Sequence, residues 1–263
     1  VDQPGSTDRG AMNHVLAAAH VDLLAQFAWS RVLLAFDFDG TLAPIVADRD
    51  EAGMRDRTRL LLERVCLLYP CAVISGRSRD DVERRIDGLP LRHIIGNHGL
   101  EPGEHMSTFE HQIAVVRPQL EAALKEWSGV DIEDKRFSLA IHYRRSRRKR
   151  DARHAIHDAV AKLTLPMRVI AGKLVVNMIP EHAPHKGDAL VRLRAHEGAD
   201  TAIYVGDDVT DEDVFELDQP GRLLSIRVGR SAQSAAGYFL RDQREVDALL
   251  TRLAKLRTKD GKP

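Results

Sequence analysis

Two carboxylates one residue apart, Asp37 and Asp39 in Phe36-Asp37-Phe38-Asp39-Gly40-Thr41-Leu42, follow directly on the apolar run Val32-Leu33-Leu34-Ala35. A charge at the end of a buried strand costs on the order of several kcal/mol unless a partner compensates it. A cation is therefore expected beside the pair. A magnesium ion between Asp37 and Asp39 would meet that need and prepare the site for phosphoryl chemistry.

Three more polar clusters recur at comparable places. Ser75-Gly76-Arg77 stops the apolar run Cys71–Ile74, Lys186 opens a helical stretch, and Gly206-Asp207-Asp208-Val209-Thr210-Asp211 follows the run Thr201–Val205. Each alone has an ordinary reading: a turn, a solvated lysine, a helix cap. All of them in this order, each at a strand end or helix start, point to one catalytic crevice.

The elements that must position these clusters read as an α/β protein. Short apolar runs (Val32–Phe36, Cys71–Ile74, Leu91–Ile95, Thr201–Val205, Leu223–Val228) alternate with helical stretches (His14–Trp29, Arg57–Leu68, Arg79–Ile86, Lys186–Ala195, Asp211–Leu217, Glu245–Leu256). That alternation predicts a parallel sheet, in which ligands bind beyond the carboxyl ends of the strands. Gly96-Asn97-His98-Gly99 occupies such an end as well. Between residues 104 and 183 the pattern changes to helix, two strands, helix, two strands. The helices are Gln112–Trp127, with Pro118 a kink or boundary, and Asp151–Leu163. The strands are Val130–Glu133, Phe137–Tyr143, Met167–Ile170 and Lys173–Ile179, the last two around a turn at Ala171-Gly172. The expected organisation is a leader and helix over 1–30, a core built from 31–103 and 184–263, and an inserted α+β cap over 104–183.

Composition narrows the function. The chain has 263 residues, with 39 basic against 39 acidic side chains, so it lacks the positive excess of a dedicated nucleic-acid binder. The Arg144–Arg150 run has no interleaved aromatic residue and reads as a solvated part of the cap in which Arg144 alone faces substrate. No apolar stretch approaches the roughly 20 residues that cross a membrane, and a cytoplasmic monomer is the expectation. Met12 could be the natural start, with residues 1–11 an addition to it. Cys66 and Cys71 sit in apolar surroundings and read as buried thiols. The twelve histidines do not fall into zinc-ligand spacing.

The four clusters together resemble the haloacid dehalogenase superfamily of phosphatases, and within it the trehalose-6-phosphate phosphatases. Asp37-Phe38-Asp39-Gly40-Thr41-Leu42-Ala43-Pro44-Ile45, Val73-Ile74-Ser75-Gly76-Arg77, Lys186-Gly187 and Gly206-Asp207-Asp208-Val209-Thr210-Asp211-Glu212-Asp213 are similar to that superfamily's motifs in order. Gly96-Asn97-His98-Gly99, Glu133-Asp134-Lys135, His142-Tyr143-Arg144 and Gly172-Lys173 carry the narrower likeness. It covers nearly the whole chain, from about Arg31 to Leu256. The resemblance implies a Rossmann-like core with a C2B-like cap.

It also implies roles. Asp37 would be the nucleophile, and Asp39 would protonate the leaving oxygen and then activate water. Magnesium would be held by the Asp37 and Asp207 carboxylates and the Asp39 carbonyl, with Thr41, Asp208 and Asp211 supporting its ligands or Lys186. Ser75, the Gly76 amide and Lys186 would hold the phosphate, with Arg77 and Asn97 also on the substrate side. On the cap, Glu133, Lys135 and Lys173 would read the sugar, while Arg144 and His98 line the same cleft. Where the family commonly carries a Glu after Gly-Lys, this chain has Asn177, a weaker partner for a sugar hydroxyl.

The expected activity is hydrolysis of trehalose 6-phosphate. Three alternatives stand beside it: the same chemistry on sucrose phosphate or a mannosyl- or glucosylglycerate phosphate, transfer of the phosphoryl group to another acceptor, and a catalytically silent regulatory domain.

Overall fold

The computed structural model describes residues 12–46, 48–172, 174–217 and 219–259. Its first part runs β1 (Asn13–His14), α1 (Val21–Trp29), β2 (Val32–Phe36), α2 (Asp56–Cys66), β3 (Cys71–Ile74), α3 (Arg79–Arg85) and β4 (His93–Ile95). The inserted part follows as α4 (Met106–Leu124), β5 (Asp131–Asp134), β6 (Leu139–His142), α5 (Lys149–Val160), β7 (Met167–Gly172) and β8 (Val175–Pro180). The chain then returns through α6 (Lys186–His196), β9 (Thr201–Gly206), α7 (Glu212–Phe215), β10 (Leu223–Val228), β11 (Tyr238–Leu240) and α8 (Glu245–Lys259).

β2 has no polar alternation because both of its faces are covered, as in a central parallel strand. Leu34 and Phe36 pack with Leu62, Val65, Leu249 and Leu253 on the α2 and α8 side. Leu33 and Ala35 pack with Leu190, Leu193 and Phe215 on the α6 and α7 side. Burying one such Leu or Phe side chain contributes about 1.5–3 kcal/mol. The sheet order is β1-β11-β10-β9-β2-β3-β4, and every described pairing in it is parallel. β9, β2, β3 and β4 are consecutive neighbours, so the segments following them meet at one edge. The fold is the expected α/β core with an inserted α+β cap.

The cap sheet, ordered β5-β6-β8-β7, is antiparallel throughout. One face packs Leu139, Ile141, Val176 and Met178 against Ile113, Val116 and Leu120 of α4 and Ala152 and Ile156 of α5. Alternation along the strands sends Glu133, Ala140 and Asn177 to the other face, where the register sets them side by side.

Three expectations from the sequence need correction. His14–Trp29 is not one helix: Asn13–His14 joins the sheet edge beside β11, and Val15 N–H donates to the Phe239 carbonyl at 3.1 Å, so α1 begins only at Val21. Pro118 neither ends nor starts α4. The lost backbone bond costs about 3 kcal/mol, and the buried face Ile113, Val116, Leu120 and Leu124 holds the helix together across it. Ala171-Gly172 is not the β7–β8 turn: both residues belong to β7 and are paired with Val176 and Val175.

Candidate active site

β2 delivers Asp37 between the ends of its two neighbours. Asp37 N–H donates to the Val205 carbonyl at 2.8 Å, which fixes the residue against β9. Gly40 makes the turn that follows, with φ +79°, and its missing side chain matters: a Cβ there would lie 2.0 Å from the Asp207 carboxylate. Any other residue would strain the turn and push Asp207 away from Asp37.

Lys186, only 1% exposed, projects from the start of α6 into this group. Its Nζ donates to Asp37 Oδ1 at 2.9 Å and to Asp211 Oδ1 at 2.8 Å. Asp211 is fully saturated: it also accepts from Tyr204 OH at 2.6 Å and from the backbone N–H groups of Asp207 and Asp208 at 2.8 and 2.9 Å. It therefore orients the lysine and shapes the Asp207-Asp208 turn. The two carboxylates flanking Lys186 raise its pKa, outweighing a burial that alone would lower it.

One ammonium does not neutralise this cluster. Burial pushes Asp37 above the ordinary carboxylate range, with Asp211 and Asp39 adding to the rise and Lys186 opposing it. Asp207 is pushed up by burial and then by Asp37, Asp211 and Asp208, and its Oδ1 is buried without a hydrogen-bond partner. Carboxylate oxygens of Asp37, Asp207 and Asp211 lie within 4.8 Å of one another. An orphaned acceptor in an all-oxygen cluster of this kind fits a hard divalent cation. Since the Asp211 oxygens are occupied, Asp37 and Asp207 are the carboxylates able to ligate it. A second group, His93, His196 and Glu197, lies away from the cleft, and Arg92 pairs with its Glu197 at 3.3 Å.

Asp39 has a different setting. Arg77 grips both of its oxygens, Nε to Oδ2 and Nη2 to Oδ1, each at 2.7 Å, and reaches Asp81 at 2.7 Å through Nη1. Arg77 was expected on the substrate side. It does line the cleft, yet its donors are turned to these acids. Burial raises Asp81, but the bonds from Arg85 and Arg77 outweigh it and bring the pKa to about 2.

The Gly76 amide belongs to the loop that follows β3, and Ser75 is buried with its Oγ accepting from Arg77 N–H at 3.2 Å. Asn97 does not reach the cleft. It is buried, with Nδ2 donating to Glu101 Oε2 at 2.7 Å and to the Lys135 carbonyl at 3.3 Å, and Oδ1 accepting from Ser138 Oγ at 2.6 Å. It ties core to cap, and its amide is consumed by that task. His98 does line the cleft. Both ring nitrogens are buried without partners, and burial followed by the charges of Lys135, Lys186 and Arg168 keeps the ring far below its usual pKa, so it is neutral. Thr41 is buried with an unpartnered Oγ1 and lies outside the lining.

The cap closes the other wall. Lys135 Nζ donates to the Gly76 carbonyl at 2.9 Å, and His142 Nε2 meets Glu133 Oε2 at 2.9 Å. Glu133, Lys135, Arg144 and Asn177 share with Asp37, Asp39, Gly76, Lys186, Asp207 and Asp208 a cleft of about 470 Å³. Lys173 lies outside the described residues. Sequence reasoning missed His142 and Asp50 as cleft residues. His142 was legible, since it alternates with the inward-facing Ile141. Asp50 lies on a single 3₁₀ turn, Arg49–Glu51, too short for any periodicity to place.

The sequence model of the trehalose-phosphatase family matches residues 35–244. The chain is 33% identical to a probable trehalose-phosphate phosphatase of Oryza sativa subsp. japonica, over 91% of this chain and 70% of that one. It is 36% identical to the trehalose-phosphate phosphatase of Mycobacterium tuberculosis over 70% of its length, and that alignment spans 51% of the mycobacterial protein. Among solved structures, the C-terminal domain of Candida albicans trehalose-6-phosphate phosphatase superposes with a TM-score of 0.76 at 24% identity, covering 94% of this chain and 99% of that one.

Proposed function

The chain belongs to the trehalose-phosphatase family, and from that premise we propose that it hydrolyses trehalose 6-phosphate to trehalose and phosphate, using Mg²⁺ and an aspartyl-phosphate on Asp37. The observation that carries this reading is the buried Lys186–Asp37 contact at the foot of a cleft whose opposite wall is the polar face of the cap.

An Asp37 oxygen attacks phosphorus, and the sugar oxygen leaves with a proton from Asp39. Water then attacks the aspartyl-phosphate, gives its proton to Asp39, and phosphate departs with Asp37 restored. Arg77 holds both Asp39 oxygens, so Asp39 turns away from Arg77 to meet the leaving oxygen. Lys186 screens the nucleophile from the phosphate charge, and the Gly76 amide, in the cleft lining, donates to the phosphate oxygens, with Ser75 buried beside it and supporting that loop through its bond from Arg77 N–H. A bound magnesium, held by Asp37, Asp207 and the Asp39 carbonyl, would supply Lewis-acid stabilisation of the transferring phosphoryl group. Glu133, Lys135, Asn177 and Arg144 supply polar groups to the disaccharide, while the cap keeps bulk water out.

The test is phosphate release from a panel of trehalose 6-phosphate, sucrose 6-phosphate and glucosylglycerate phosphate, with Mg²⁺ and after chelation. Preference for the trehalose ester with loss on chelation supports the reading. Equal or better turnover of another ester overturns the substrate, and metal-independent turnover overturns the cofactor.

A further inference from the structure

The solvent face of α5 carries a concentration of charge that the reaction does not use. Alternate sides of this helix differ sharply: Ala152, Ile156 and Ala159 are buried in the cap. Lys149, Arg150, Arg153, His154 and His157 line a separate pocket of about 630 Å³. Tyr143 and Leu174 also line it, and Asp158 is its one acid. Lys149 and Arg153 stand four residues apart, where like charges repel. Among the described residues, Arg145, Arg147, Lys149, Arg150 and Arg153 share no ion pair, whereas neighbouring Arg148 is taken by Asp151 at 2.8 Å. A chain with equal numbers of acids and bases has thus gathered cations around one concavity without neutralising them.

We propose that this pocket binds a small anion carrying two or more phosphate groups. Several convergent guanidinium and ammonium groups in a concave site match the closely spaced charges of such an anion. A nucleic-acid strand fits less well, because the patch is confined to the first turns of α5 and the short loop before it, and Tyr143 beside it is buried.

The site is distinct from the reaction centre but linked to it. Leu174, at φ +63°, forms the turn between β7 and β8 and lines this pocket on one side. On the other side it lines the outer lobe of the cleft, beside Arg144, Arg145 and Val175. Its carbonyl accepts from Tyr143 N–H at 3.1 Å. An anion bound here neutralises part of the positive field at the cleft mouth and bears on the hairpin that carries Val175 and Asn177, so it weakens capture of a phosphorylated substrate.

Calorimetric titration with inorganic tripolyphosphate in metal-free buffer tests the site without reference to turnover. The expected result is saturable one-to-one binding, weakened about tenfold or more in Arg150→Ala/Arg153→Ala and largely retained in Arg150→Lys/Arg153→Lys. In assays with free Mg²⁺ held constant, tripolyphosphate is expected to raise the wild-type KM about fivefold, with no such effect in the alanine variant and no change in its basal rate. Absence of saturable binding, unchanged affinity in the alanine variant, or a KM effect that persists in it would overturn the proposal. Tighter binding of a single-stranded oligonucleotide through the same arginines would overturn it in favour of a nucleic-acid surface.

Discussion

The two walls of the cleft are built on opposite principles. On the core side, Asp37, Lys186 and Asp211 are buried, anchored by bonds of 2.6–2.9 Å and delivered by parallel strand ends. On the cap side, Glu133, His142 and Asn177 are only partly covered and stand on the open face of an antiparallel sheet. The first wall spends stability on a fixed arrangement of charge, because chemistry is improved by dipoles that do not reorganise. The second offers hydrogen bonds that a hydroxyl-rich ligand can complete. Changes in the core wall should therefore act on kcat, and changes in the cap wall on KM.

The sharpest separation comes from Asp37→Asn. Loss of the nucleophile is expected to lower phosphate release by about 10⁴-fold or more. The same change removes one charge from a crowded buried cluster, so the melting temperature should hold or rise. Retained turnover would dismiss Asp37 as nucleophile, and a collapsed melt would show that the core wall is structural first.

On the cap, Lys135→Ala is expected to reduce kcat/KM by about tenfold to a hundredfold, chiefly through KM, the range for losing a charged hydrogen bond. Steady-state kinetics with the sugar phosphate checks it. Lys135 also touches the Gly76 carbonyl. A fall confined to kcat would mean that this lysine serves the phosphate loop, and the division between walls would fail at that point.

The contrast also explains what the sequence could tell. The core wall was legible because its parts are local: Asp37, Ser75 and Asp207 each follow a short apolar run, and order along the chain places the strand ends. Asn97 was misassigned to substrate because its partners, Ser138 and the Lys135 carbonyl, lie some forty positions away. The grip of Arg77 on Asp39 is hidden for the same reason, 38 positions apart. At the amino terminus, the pairing of Asn13–His14 with Tyr238 and Phe239 overrode an alanine- and leucine-rich helical pattern, a tertiary effect that no local window contains.

Asn177→Glu probes the cap more gently. Asn177 shares the open face with Glu133, Ala140 lying between them in register. A carboxylate should bind a sugar hydroxyl more strongly than an amide, lowering KM about fivefold with kcat unchanged. If KM rises instead, repulsion from Glu133 outweighs the new bond, and Asn177 is itself the favourable residue for this cleft.

The smallest effect is expected at Asp81, which lines the cleft beside Arg77. It accepts from Arg77, Arg84 and Arg85, and its pKa falls to about 2 from an ordinary 3.8. A carboxylate depressed on folding stabilises the folded state above its unfolded pKa and loses that contribution as pH falls through the folded value. Asp81→Asn should therefore cost about 2 kcal/mol at neutral pH, the worth of that shift. The gap should close between pH 4 and pH 2, as read by denaturant unfolding at stepped pH. The same variant weakens the hold of Asp81 on Arg77 and leaves the Arg77 grip on Asp39 in place. Asp39 then turns toward the leaving oxygen less readily, and kcat should fall severalfold while KM holds. A stability loss without any change in kcat would confine Asp81 to the packing of α3 and leave Asp39 indifferent to how firmly Arg77 is held.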